Sequence, residues 1–280
     1  MATHLVGAFY ALFAAVLYGG ADFSGGFATR RLHHYQVLML TSLVGAVVML
    51  VLTLLWGEGL PSATSIFYAV LASVSGSIGL ATLYQALAYR RASIVAPASA
   101  VVASAVPVIY SAILQGLPAN ITLAGFILAA FGIWMTTRSE PVEGETANDG
   151  LLQGVFSGLA FGGFFIFLAR IEPGYIFSPL IFGKLAAAAM GLLIIAYRRL
   201  PLPNPIRHPV AIFSGFLDVM ANALYLVSTS LTRVDIAAVL VCTYPAATVV
   251  LAMVFFKERI SRYQALGVLV CIVAIALIII

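Results

Sequence analysis

The sequence predicts an all-α polytopic membrane protein with ten transmembrane helices arranged as two inverted five-helix repeats. Three observations predict it. Of 280 residues, 62% are hydrophobic and 9% charged, with a mean hydropathy of +1.09, against roughly half apolar and a quarter charged in a soluble domain. Ten apolar runs are long enough to cross a hydrocarbon core about 30 Å thick, which takes about 20 helical residues. The last five runs resemble the first five across an acidic linker. A soluble domain, a disordered chain and a disulfide scaffold are excluded, since Cys242 and Cys271 both lie inside apolar runs. The runs are continuous rather than alternating, which argues against a transmembrane barrel.

Taken in order, the runs fall at about 5–29, 36–56, 64–89, 92–115, 121–137, 151–169, 177–197, 209–231, 234–256 and 263–280. The first is read as a retained span, because Met1 to His4 has no positively charged side chain at pH 7 and the run exceeds a signal-peptide core. Short polar or helix-breaking connections follow: Arg30-Arg31-Leu32-His33-His34, Gly57-Glu58-Gly59-Leu60-Pro61, Arg90-Arg91 and Gly116-Leu117-Pro118. The linker gathers Glu140, Glu143, Glu145 and Asp149 around Pro141 and Gly144. It divides the chain into a first repeat at 1–137, a linker at 138–150 and a second repeat at 151–280. Beyond it, Arg198-Arg199 through Pro201, Pro203 and Pro205 to Arg207 forms the longest remaining connection.

The halves match in two ways. Arg91-Ala92-Ser93-Ile94 aligns with Arg233-Val234-Asp235-Ile236, and without a gap Gly125 then aligns with Gly267. The small-residue stripe Gly7, Ala11, Ala15, Gly19 in the first span recurs as Gly154, Gly158, Gly162 in the sixth, a pattern that lets helix backbones approach closely in lipid. Five spans per half is odd, so the second half enters from the opposite side and the repeats are inverted. That architecture suits alternating access to a midplane site.

Leu17-Tyr18-Gly19, the two five-span repeats, and Phe256-Lys257-Glu258-Arg259 followed by Gln264 and Gly267 resemble the drug/metabolite transporter superfamily, specifically its ten-helix EamA branch. The resemblance implies secondary transport, often export, of small metabolites such as amino acids. The chain departs from the pattern at Gly116, which aligns with Glu258, and at Thr41 and Ser42, near the slot where the second repeat has Lys184.

Charges inside a span cost about 2.5–3.5 kcal/mol each on insertion scales, which makes them functional candidates. Three qualify: Asp22, Lys184 and Asp218. Let the first face be the one carrying the loop after span one. At 1.5 Å per residue, Asp22 and Asp218 lie roughly 12–13 Å below it, and Lys184 and Asn222 roughly 20 Å below. One reading makes an aspartate a proton-exchanging group and Lys184 an anion-binding one. The other makes Lys184 and an aspartate a packing ion pair, or lets Lys184 snorkel to the surface. Glu172, beside Pro173, reads as a solvated loop charge.

Tyr18 and Tyr244 lie near mid-span and suit an amphipathic ligand. Tyr84 and Tyr225, with Gln85 beside the former, lie toward span ends and read as interfacial anchors. Phe161, Phe164, Phe165 and Phe167 read as packing or lipid-facing bulk. Pro97, Pro107 and Pro245 are candidate helix breaks or gating points, or static kinks.

No enzyme motif, metal constellation or cofactor is expected: there is no phosphate-binding Gly-Lys-Ser/Thr loop, and His4, His33, His34 and His208 sit at span ends. Nucleic acid is not an expected partner, because the net charge of +4 resides in short clusters beside spans. Arg30, Arg31, Arg90, Arg91, Arg138, Arg198, Arg199, Arg207, Lys257, Arg259 and Arg262 fall on the first face, and Arg170 and Arg233 on the other. The positive-inside rule then makes the first face cytoplasmic and both termini external; the family resemblance implies cytoplasmic termini. The reading is a gradient-driven carrier, with protons as a candidate coupling ion, moving a small amino-acid-like metabolite around Tyr18, Asp22, Lys184, Asp218, Asn222 and Tyr244 in the cell membrane. Alternatives are a drug or lipid-linked substrate transporter and a non-transporting scaffold or sensor.

Overall fold

The computed structural model describes residues 2–88, 92–137, 150–256 and 261–279. Arg90, Arg91, the linker to Asp149 and the Lys257-Glu258-Arg259 run lie outside the described residues, as do the side chains of Tyr84 and Gln85. The helices are α1 (Ala2–Ala28), α2 (His34–Trp56), α3 (Ala63–Ala88), α4 (Ala92–Gln115), α5 (Asn120–Thr137), α6 (Leu151–Leu168), α7 (Ser178–Tyr197), α8 (Pro209–Leu231), α9 (Val234–Val241), α10 (Tyr244–Phe256) and α11 (Arg262–Ile279). They supply ten spans long and apolar enough to cross a bilayer, the ninth shared by α9 and α10. The protein is a multi-pass integral membrane protein.

Local chemistry sets the helix ends. His33 and Gln36 form a reciprocal capping box at the start of α2, with the Gln36 side chain accepting the His33 N–H at 2.7 Å. At its other end Gly57 turns left-handed, φ +68°, and its N–H bonds back to the Thr53 carbonyl. The α7 terminus has no side-chain cap from its own segment. Glu58, from the loop after α2, accepts the N–H groups of Ile176, Phe177 and Ser178 and the Ser178 hydroxyl, supplying both hydrogen-bond acceptors and the negative charge the helix N-terminus favours.

The main helix pairings correspond when the halves are exchanged. α1 packs on α8 and on α9–α10, and correspondingly α6 packs on α3 and α4; α2 meets α7, and α5 meets α11. The glycine stripes lie at these contacts. A Cβ on Gly158 would fall 2.6 Å from the Ser99 carbonyl oxygen, and one on Gly19 2.7 Å from the Ala247 Cβ, so those backbones touch as small-residue packing requires. Serines add hydrogen bonds between helices: Ser99 donates to Ser157, which donates to the Gly79 carbonyl at 2.8 Å.

The main core occupies the half of the bundle away from the first face, where Met49, Leu168, Leu180, Tyr225 and all of α9 after Val234 are buried. Tyr225 corrects the expectation of an interfacial anchor. It is 0% exposed, its hydroxyl donates to the Phe165 carbonyl at 3.0 Å, and its ring meets that of Phe165 edge-on.

Candidate functional site: a charged floor in a central cavity

A cavity of about 550 Å³ occupies the first-face half of the bundle. Its mouth is lined by residues at the first-face helix ends, among them Gly26 of α1, His34 of α2 and Thr137 of α5. Deeper in the bundle it is lined by Tyr18, Asp22, Phe165, Lys184, Asp218 and Tyr244. The three intramembrane charges thus share one chamber.

Lys184 reaches it from α7 and Asp218 from α8. The Lys184 stem lies where a Cβ on Gly45 would sit, 3.2 Å from its Cδ, and its ammonium donates to the Asp218 carboxylate. Snorkelling is excluded by this geometry. Asn222, 1% exposed and one turn along α8, donates to the main-chain oxygen of Asp218 at 2.5 Å and to its Oδ1 at 3.4 Å. It stands behind the chamber wall and positions Asp218.

Asp22 is different. Its side chain is exposed to the chamber, and among the described residues no hydrogen bond or ion pair engages its carboxylate. One turn back on the same face of α1, the buried Tyr18 hydroxyl likewise has no hydrogen-bond partner among the described residues. The Tyr18 ring stands 6.3 Å from the rings of both Phe165 and Tyr244.

Phe161, Phe164 and Phe165 correct a second expectation, because all three line the cavity rather than serving only as bulk. Gly76 and Gly79 on α3 leave room for the first two, a Cβ at either position falling 3.1–3.2 Å from a ring carbon. Of the prolines, Pro245 lines the cavity beside a genuine break. α9 ends at Val241, the chain tightens through Thr243, whose N–H bonds the Leu240 carbonyl, and α10 begins at Tyr244; Pro245 has no N–H with which to continue the ladder. Pro97 and Pro107 lie inside an uninterrupted α4.

The opposite, second face is tied shut between the halves. Besides the Glu58 cap, Arg233 donates to the Gly116 carbonyl at 2.8 Å and to Asp235 at 2.9 Å. That bond to Asp235 raises the Arg233 guanidinium above its usual range. Arg170 lies over the Tyr68 ring and reaches the Tyr110 hydroxyl at 3.5 Å. Gly116 adopts φ +79°, a left-handed turn that glycine enters at little cost, which gives a structural reason for the departure from its aligned partner Glu258. Asp235, 0% exposed, is a buried carboxylate that sequence reading placed only as a repeat-matching position at a span end.

Ten spans thus surround a charged central chamber. Residues 148–280 match the EamA-like transporter family. The match spans the second repeat and the end of the linker before it. A solved crystal structure superposes with a TM-score of 0.74 over 97% of this chain and 96% of its own, at 18% identity, so the whole chain, first half included, shares a known fold. No curated protein matches it in sequence.

Proposed function

We propose that the protein is a gradient-driven carrier that exports a small amphipathic, amino-acid-like metabolite across the cell membrane by alternating access. The observation that carries this reading is the asymmetry of the bundle. The cavity is lined by first-face helix ends and by the polar groups of Asp22, Lys184 and Asp218, and the other half of the bundle holds a packed core and the cross-half ties of Glu58, Arg170 and Arg233. An inverted repeat has a second packing, related by exchange of the halves, in which the same floor faces the other side. With the first face cytoplasmic, as the arginine asymmetry supports, the chamber loads from the cytoplasm, as an exporter requires. Asp22 and Asp218 are the groups through which proton movement would couple.

Counterflow of radiolabelled amino acids in proteoliposomes tests the carrier. Saturable exchange that Asp218→Asn abolishes is expected. Failure of a broad metabolite panel to exchange, together with a cavity whose accessibility never alternates, would overturn the reading in favour of a scaffold.

A further inference from the structure

We propose that the chamber floor is an ammonium site: the transported metabolite presents a cationic amine to Asp22 and the Tyr18 hydroxyl, inside a box of aromatic rings, and a carboxylate on the ligand finds no uncommitted lysine or arginine among the described residues lining the cavity. This deepens the carrier reading and rests on it.

Charge pairing comes first. Lys184 is the single lysine or arginine among the described residues lining the cavity, and its ammonium is committed to Asp218. The pair is held from behind by Asn222 and flanked by Gly45, so the lysine stem is fixed as well as its head. The carboxylate of Asp22 remains, facing the cavity without a hydrogen-bonding or ionic partner among the described residues. With both aspartates ionised the floor carries one net negative charge, the complement of a monocation.

The Tyr18 hydroxyl is the independent observation. It is the one buried side-chain oxygen or nitrogen among the described residues that lacks a hydrogen-bond partner. A native protein seldom leaves such a group unmatched unless something outside the chain completes it. Tyr18 and Asp22 are four residues apart on α1, so the phenol and the carboxylate project from one face at adjacent turns. An ammonium has three N–H donors and no acceptor. It can donate to the Asp22 oxygen and to the Tyr18 oxygen at once, which neither a carboxylate nor a phosphate can do.

The walls have the same preference. Tyr18, Phe165 and Tyr244 stand together at 6.3 Å ring separations around this point, and aromatic faces attract cations through their quadrupoles. Beyond the head group, Phe161 and Phe164 offer an apolar surface to an aryl or branched alkyl body. The cavity volume of about 550 Å³ falls within the roughly 300–1,000 Å³ of ordinary small-molecule sites.

Four probes that share a phenyl ring and differ in charge test the proposal: phenethylamine and phenylalanine amide as cations, phenylalanine as a zwitterion, and 3-phenylpropionate as an anion. Binding is read by thermal shift and competition on the purified full-length protein, and transport by counterflow. The cations are expected to bind at least about tenfold more tightly than phenylalanine, and the anion not to bind. Asp22→Asn is expected to remove at least about tenfold of cation affinity, and Tyr18→Phe, which keeps the ring, about three- to tenfold. Equal affinity for phenylalanine and its amide, cation binding unmoved by both substitutions, or no saturable binding of either amine would each overturn the ammonium site. Amino-acid exchange that persists in any of those cases leaves the carrier reading standing, so the two failures are distinguishable.

Discussion

The Glu58 carboxylate accepts the main-chain N–H of Ser178 at 2.9 Å and the Ser178 hydroxyl at 2.6 Å, so a loop of the first half caps a helix of the second across 120 positions of sequence. Hydrogen bonds to an ionised group are worth about 1.5–3 kcal/mol when buried; Glu58 is partly exposed, which places the expected loss for Glu58→Ala toward the lower end of that range. The same substitution removes a tie that holds the second face closed. In a background lacking Cys242 and Cys271, Leu180→Cys should resist a maleimide while Glu58 is present and react once Glu58 is alanine. Unchanged reactivity together with an unchanged melting temperature would show that the cap is dispensable.

Lys184 and Asp218 depend on each other. Removing one partner of a buried ion pair costs about 3–5 kcal/mol, whereas replacing both with apolar side chains is close to neutral. The Asp218 side chain is 31% exposed to the cavity, which lowers the first figure. Lys184→Met alone should therefore unfold in detergent at a clearly lower temperature, and Lys184→Met with Asp218→Leu should recover most of the loss. Transport should be absent from both. A double variant no more stable than the single one would refute the coupling.

Much of this site was legible in the sequence for a physical reason: a charge within an apolar run has no cheap place to go, so Asp22, Lys184 and Asp218 announced themselves, and all three line one cavity. The ten spans and the stripes of Gly154, Gly158 and Gly162 were legible because bilayer thickness and close packing impose lengths and spacings. Glu58 was not, since a carboxylate in a Gly-rich loop looks solvated until the fold brings a bare helix terminus to it. Asp235 hid behind Arg233 at a span edge, where a charge needs no explanation. Tyr225 was misread, and the cavity-lining side of Phe161, Phe164 and Phe165 was missed, because run position reports depth, while the direction a ring faces depends on which helix lies beside it.

Glycines of one composition class should separate sharply by position. A Cβ at Gly158 meets the Ser99 carbonyl oxygen and the Val102 Cβ at 2.6 Å, whereas one at Gly26 meets nothing within 4 Å. Gly158→Ala forces backbones apart, and overpacking of this kind costs about 1–3 kcal/mol or more. Gly26→Ala gains helix propensity, up to about 1 kcal/mol. Melting temperatures of the two variants should move in opposite directions, and a stable Gly158→Ala protein would contradict the close contact of α6 with α4.

The direction in which the cavity faces follows from the arginines. On the second face, Arg233 is bonded to the buried Asp235 carboxylate, and Arg170 is laid over Tyr68 with its end on Tyr110. These two side chains belong to the seal, and Arg233 is neutralised there. The first face keeps Arg30, Arg31, Arg198, Arg199, Arg207 and Arg262 close to span ends, where basic residues orient a membrane protein. The first face should therefore be cytoplasmic, with both termini outside and the cavity open inward. In intact cells an impermeant maleimide should label Thr3→Cys and spare Arg31→Cys, again without Cys242 and Cys271. Labelling of Arg31→Cys with protection of Thr3→Cys would reverse the assignment: the cavity would open outward, and a carrier in that state would be poised to release or capture ligand outside the cell rather than to load it from the cytoplasm.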